Sequence, residues 1–131
     1  MNKNLQIAFD LNDSNIIKYL NYIYEHRINS LENTPNADTA LHHIVPTSWF
    51  KRNNIEADNS SSNTARLTLK DHCIAHILLA QYYINRDKKS ERSMMFGMCM
   101  AVIRMLAKNC STCPPIEKMT ADEIEFLAIN Y

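Results

Sequence analysis

Gly97 is the only glycine among the 131 residues. A chain with one residue that takes positive φ freely cannot be built from many tight hairpin turns, so helices joined by a few loops are the natural solution. The apolar spacing agrees. Asp13 or Ser14 can cap a first helix over about 13–32, with Ile16, Leu20 and Ile23 in one stripe and Ile17, Tyr24, Ile28 and Leu31 in an adjoining one. Residues 88–108, "KKSERSMMFGMCMAVIRMLAK", read as another helix, in which Met94, Met95, Met98, Met100 and Met105 are adaptable core filler rather than a cofactor site. After the turn "NCSTCPP", Thr120 and Glu123 have the spacing of a capping box and open a last short helix, so C-terminal helices are expected over about 88–130.

The middle of the chain follows a different rule. "NTPNAD" breaks the helical pattern, and "TALHHIV" is short, partly β-branched and stopped by Pro46, as a strand ending in a loop would be. A second strand is expected at "ARLTL", after the polar run "NSSSN" at 59–63. Thr68 and Asp71 then resemble a capping box for the helix "KDHCIAHILLAQYYI", whose apolar face runs through Ile74, Ile77 and Leu78. The order is strand, loop, strand, helix, within an α+β fold that is mostly helical.

With no internal repeat and no long linker, residues 1–131 are expected to form a single domain, large enough to fold without a metal or disulfide. The 46% hydrophobic and 21% charged residues are those of a soluble globular protein. Fourteen basic and fourteen acidic side chains cancel, which excludes a simple electrostatic DNA coat, yet residues 42–110 alone carry ten basic and five acidic groups. That middle segment could meet a polyanion while the acidic flanks limit nonspecific affinity. No apolar run is long enough for a membrane span or a signal peptide core, so the chain is read as cytoplasmic, with no membrane partner. Cys73, Cys99, Cys110 and Cys113 are then expected to be reduced, and the lone Cys110–Cys113 pair lacks the two further ligands of a structural zinc site.

Four of the five histidines fall in two groups, His42 with His43 and His72 with His76. His72 and His76, four apart on a helix, share a face with about 6 Å between them along the axis, close enough to hold one ion. Adjacent strand residues point to opposite sides, so His42 and His43 can have different tasks. A metal ligand must give its lone pair to the ion, whereas a general base must keep its lone pair for a water proton. An imidazole can accept that proton at neutral pH. Either pair alone is most simply a set of hydrogen-bonded rings. Both pairs in this order point instead to three imidazoles in an open, catalytic kind of metal site.

"HHIVP", then "NTARLT", then "HCIAH" resembles the HNH, or ββα-metal, nuclease motif, and the spacing from Asn63 to His72 to His76 is that of colicin-type DNases. Over nearly its whole length the chain is similar to small phage HNH endonucleases of the homing type, with an N-terminal helix rich in Tyr, Ile and Arg, "AHxLL" in the motif helix and a Met-rich helix after it. The resemblance implies a ββα-metal finger, two short antiparallel strands plus a helix, over 38–84, flanked by an N-terminal helix and C-terminal helices. It implies a metal-dependent DNA endonuclease with His43 as general base and His42, His72 and His76 as ligands of one divalent ion, Mg²⁺, Zn²⁺ or Ni²⁺. Asn63 would pin the loop presenting His43 or ligate the metal. Arg66 and Lys70 would contact DNA phosphates. For a phage-encoded nuclease the place of action is the host cytoplasm.

The chain also departs from the families it resembles. Ala40 stands where the colicin-type motif has a glutamate, leaving a supporting contact to be missing or to come from Asp38, and the Gly-Gly that follows the histidines in the phage endonucleases is replaced by "TSWFKRNNIEADNSSS". In that loop Lys51 and Arg52 are candidate phosphate contacts. Trp49 and Phe50 are read as anchors of the loop in the core, with insertion into a DNA groove as the alternative. "RDKKSER" at 86–92 is either a solvated turn or a strip along a DNA backbone, and His26 is a surface or boundary histidine. Two other functions compete with the nuclease: a protein-binding or inhibitory module that keeps the HNH fold, and a purely structural zinc domain, which unlike this chain should melt when its metal is removed.

Overall fold

The computed structural model describes residues 2–29, 39–86 and 94. In chain order the elements are α1 (Lys3–Ala8), α2 (Ser14–His26), β1 (Thr39–His43), α3 (Thr47–Arg52), β2 (Thr64–Thr68) and α4 (Leu69–Ile84). Among the described residues this is a small α+β fold, and no helix is long and apolar enough to cross a membrane.

Two elements lie where no helix was expected. In α1, Asn2 caps the first turn by accepting from the Asn4 amide at 2.8 Å, and Leu5 and Ala8 enter the core. In the loop after the histidine pair, α3 buries Phe50 at 1% exposure and packs the half-buried Trp49 against the core, which is the anchoring role expected of the pair. It ends without glycine. Asn54 takes φ 54, while the amides of Asn54 and Ile55 bond back to Lys51 and Phe50 carbonyls. This is the Schellman ending, with asparagine in the left-handed position that short polar side chains tolerate.

Helix α2 starts as expected, with the Asp13 carboxylate accepting from the Asn15 amide at 2.8 Å, but stops at His26 instead of about residue 32. Arg27 turns to ψ 142, and the Ile28 amide bonds the Arg66 carbonyl on the outer edge of β2 at 2.8 Å. A tertiary acceptor thus ends the helix, since neither glycine nor proline stands there. The buried stripe is Ile16, Tyr19 and Ile23, while Ile17 and Tyr24 of the adjoining stripe are exposed.

Strands β1 and β2 pair antiparallel, with Ala40 opposite Leu67, Leu41 opposite Arg66, His42 opposite Ala65 and His43 opposite Thr64. Strand alternation then gives the ribbon two different faces. Ala65, Leu67 and His42 are buried on one; Leu41, His43, Thr64 and Arg66 lie on the other. Thr68, the last residue of β2, accepts from the Asp71 amide at 3.1 Å and starts α4 with no intervening loop. Helix α4 is buried nearly all round, so its apolar surface is wider than one face: Leu78 and Leu79 join Tyr82 and Tyr83 in a core shared with α2 and the ribbon. Phe9 closes the core through edge-on contacts with Tyr19 and Tyr82, and the Tyr82 hydroxyl accepts from the Asp10 amide at 3.0 Å.

Of the expected Met-rich helix only Met94 is described; it is buried and accepts from the Ser48 hydroxyl. Asp38, the other methionines, Cys99, Cys110, Cys113, Thr120 and Glu123 lie outside the described residues.

Candidate metal centre

The direct step from β2 into α4 sets the geometry of the histidines. His42 hangs from the buried face of β1 at 2% exposure, over the first turns of α4. His72 and His76, one helical turn apart, meet it there. Ring centroids lie 5.2 Å apart for His42 and His72, 5.1 Å for His42 and His76 and 4.7 Å for His72 and His76. Ligand nitrogens of all three lie within 4.8 Å of one another, close enough to bind one metal ion.

Which nitrogens face inward follows from hydrogen-bond chemistry. The Tyr19 hydroxyl, from α2, lies 2.7 Å from the Ile44 carbonyl and 2.7 Å from His42 Nε2. A carbonyl can only accept, so the single phenolic hydrogen goes to Ile44, and His42 must donate its Nε2–H to the Tyr19 oxygen. His42 is thereby held as the tautomer with its lone pair on Nδ1. For His72 and His76 the inward atoms are Nε2, which stand 3.0 Å apart. Their Nδ1 atoms are buried with no partner among the described residues, so the proton that each ring carries when Nε2 ligates a metal sits on a nitrogen that these elements leave open.

Burial keeps the cluster neutral. It drives the His42 pKa well below the usual 6.5, helped by the charges that His76, His72 and His43 would carry. Burial alone lowers His72 to about 4, and burial followed by His72 lowers His76 to about 3. Near neutrality the three rings are uncharged, and at 3.0 Å one of the two Nε2 atoms of His72 and His76 donates its hydrogen to the other. A divalent cation would need that hydrogen moved to the open Nδ1, since an imidazole ligates only through an unprotonated nitrogen. The donor set therefore fits such an ion.

Tyr19 had no signal in the sequence and is in neither of the two apolar stripes read there. Tyr19→Phe is expected to weaken zinc affinity about 10- to 100-fold, the usual cost of losing the group that orients a ligand. It should also destabilise the fold by about 1–3 kcal/mol, because the Ile44 carbonyl and His42 Nε2–H lose their partner. Zinc titration by calorimetry and urea denaturation check the two parts separately.

The other candidates are dispersed. His43 leaves the ribbon on the face opposite His42 and donates Nε2–H to Asn59 Oδ1 at 2.7 Å. Asn63 is fully buried. Its Oδ1 accepts from the Val45 amide at 2.9 Å, and its Nδ2 donates to the Val45 and Asp58 carbonyls at 3.2 and 2.9 Å. That amide is a clamp between loops. Arg66 shares a ribbon face with His43, diagonally across the strands, and its guanidinium reaches the Thr39 hydroxyl at 3.1 Å. Lys51 and Arg52 occupy the last turn of α3, and Lys70 the first turn of α4. His26 stacks on Tyr22 at the end of α2, apart from the cluster.

No family model matches this chain, and neither a curated protein nor a solved structure matches it.

Proposed function

We propose that this chain is a metal-dependent DNA endonuclease of the HNH type, with 38–84 as a ββα-metal finger. One observation carries the reading: three neutral imidazoles converge from β1 and α4, while the next residue, His43, emerges on the other ribbon face with its own acceptor. A site that only bound metal, or only a protein, has no need of a fourth imidazole kept out of the cluster.

In this reading His42, His72 and His76 hold the ion, and a set of imidazoles suits zinc or nickel better than magnesium. A divalent cation held there would supply Lewis acidity to the phosphodiester being cut. His43 takes a proton from water at Nδ1, the nitrogen left bare by its contact with Asn59. The water oxygen bonds to phosphorus in line as the bond to the 3′ oxygen breaks, and the departing 3′ oxygen takes a proton from solvent water, leaving a 5′ phosphate and a 3′ hydroxyl, with the proton on His43 then lost to solvent. Arg66, on the His43 face, holds a phosphate of the strand being cut, and Lys70, Lys51 and Arg52 extend the phosphate contacts.

Supercoiled plasmid incubated with the purified protein and EDTA, magnesium, manganese, zinc or nickel tests this. Nicking or linearisation that needs a metal and stops with EDTA is expected. Intact plasmid in every metal, from protein shown to bind zinc, would sink the nuclease and leave the protein-binding module as the better account of the fold.

A further inference from the structure

We propose that Asn59 is a positioning residue that fixes the tautomer and orientation of His43; the inference rests on the nuclease reading for its catalytic meaning. The Asn59 carbonyl oxygen can only accept, so the 2.7 Å contact requires the hydrogen on His43 Nε2 and leaves the lone pair on Nδ1. Without such a partner a half-exposed imidazole turns about its χ angles and moves its hydrogen between nitrogens, and only part of the population presents a base in one direction.

A pin works only if it is itself held, and both neighbours of Asn59 are. The Asp58 carboxylate accepts from the Ser60 amide at 2.9 Å and from the Asn2 and Asn4 side chains at 2.9 and 3.3 Å. These hydrogen bonds, first those of the Ser60 and Asn2 side chains, lower its pKa to about 2. The Ser60 carbonyl accepts from the Asn63 amide at 3.0 Å and from the Thr64 hydroxyl at 3.1 Å. Thr64 is the residue paired with His43 across the ribbon.

Asn63 closes the frame. One arm of its side chain holds Val45, two residues beyond His43, and the other holds the Asp58 carbonyl, one residue before Asn59. The strand bearing the base and the turn bearing its acceptor are thus fixed to each other by a buried amide. Helix α1 braces the same turn through Asn2, which also reaches the Ser62 hydroxyl at 2.8 Å.

The test uses full-length protein labelled with ¹⁵N at histidine and loaded with zinc, comparing wild type with Asn59→Ala and Asn59→Asp. Nitrogen chemical shifts at pH 8 distinguish protonated from bare ring nitrogens. Wild type and Asn59→Asp should show His43 with Nε2 protonated and Nδ1 bare. Asn59→Ala should show both nitrogens moved toward averaged values, with unchanged melting temperature and zinc affinity. In plasmid cleavage Asn59→Ala should lose at least about tenfold in kcat, a fraction of what a general base supplies, with KM within about twofold and recovery in Asn59→Asp. His43 shifts that do not change in Asn59→Ala overturn the proposal. In a chain that cuts no DNA the nuclease reading falls by itself, and the nitrogen shifts still decide whether Asn59 orients His43.

Discussion

Replacing His43 by alanine is expected to lower plasmid cleavage by about 10²- to 10⁴-fold, the range a positioned general base contributes, while zinc affinity and melting temperature stay close to wild type. The asymmetry follows from where the ring lies. His42 shares its buried nitrogens with Tyr19 and the cluster, so removing it would damage fold, metal binding and activity together. His43 is only half-buried and bonds to an exposed loop residue, so its loss leaves no buried polar group without a partner. A His76→Ala protein, prepared in parallel, should lose zinc binding and cleavage together. Single-turnover cleavage with saturating metal, beside zinc titration of the same samples, separates the two. A His43→Ala protein that cuts within tenfold of wild type would remove His43 from the chemistry and move the search for a base to the other polar groups on that face of the ribbon.

The parts of this arrangement that were legible in the sequence depend on local periodicity. The i, i+4 spacing of His72 and His76 fixes a common face on any helix, and alternation separates His42 from His43 on any strand. Thr68 is a cap in the sequence and in the fold. The short helices were not legible for reasons just as physical. α1 and α3 are six residues each, too short for an apolar period to stand out. α3 begins at Pro46 with no side-chain cap bond and ends on Asn53–Asn54, where a glycine would have announced the turn. The end of α2 is set by the Arg66 carbonyl, a partner almost forty residues away. Tyr19 and Asn59 escaped for the same reason. One stands outside both apolar stripes and the other within a polar run, and each acquires its role from a hydrogen bond that only the folded register creates.

That same register leads to an expected acid sensitivity of the metal-free chain. His72 and His76 titrate at about 4 and about 3 when folded, and His42 lies well below its usual value, whereas in the unfolded chain all three titrate near 6.5. Between about pH 6.5 and 4 the unfolded state therefore holds protons that the folded state refuses. Stability is full above the unfolded value and falls as pH drops through this window, by about 1.4 kcal/mol per pH unit for each histidine involved. In EDTA at pH 7 the chain should remain folded, because its core of Ile16, Tyr19, Ile23, Leu67, Leu79 and Tyr82 does not depend on a cation. Its melting temperature should fall steeply from pH 6.5 to 4.5. Zinc should oppose that fall: the folded imidazoles stay unprotonated across the window, and a ligand at a hundred times its dissociation constant adds about 2.7 kcal/mol to a folded state that alone binds it. Circular dichroism melts in EDTA and in zinc, at half-unit steps of pH, check both limbs. A melting temperature in EDTA that is level from pH 7 to 4.5 would mean that the three rings are hydrated and titrate freely, and the closed cluster over α4 would have to be abandoned.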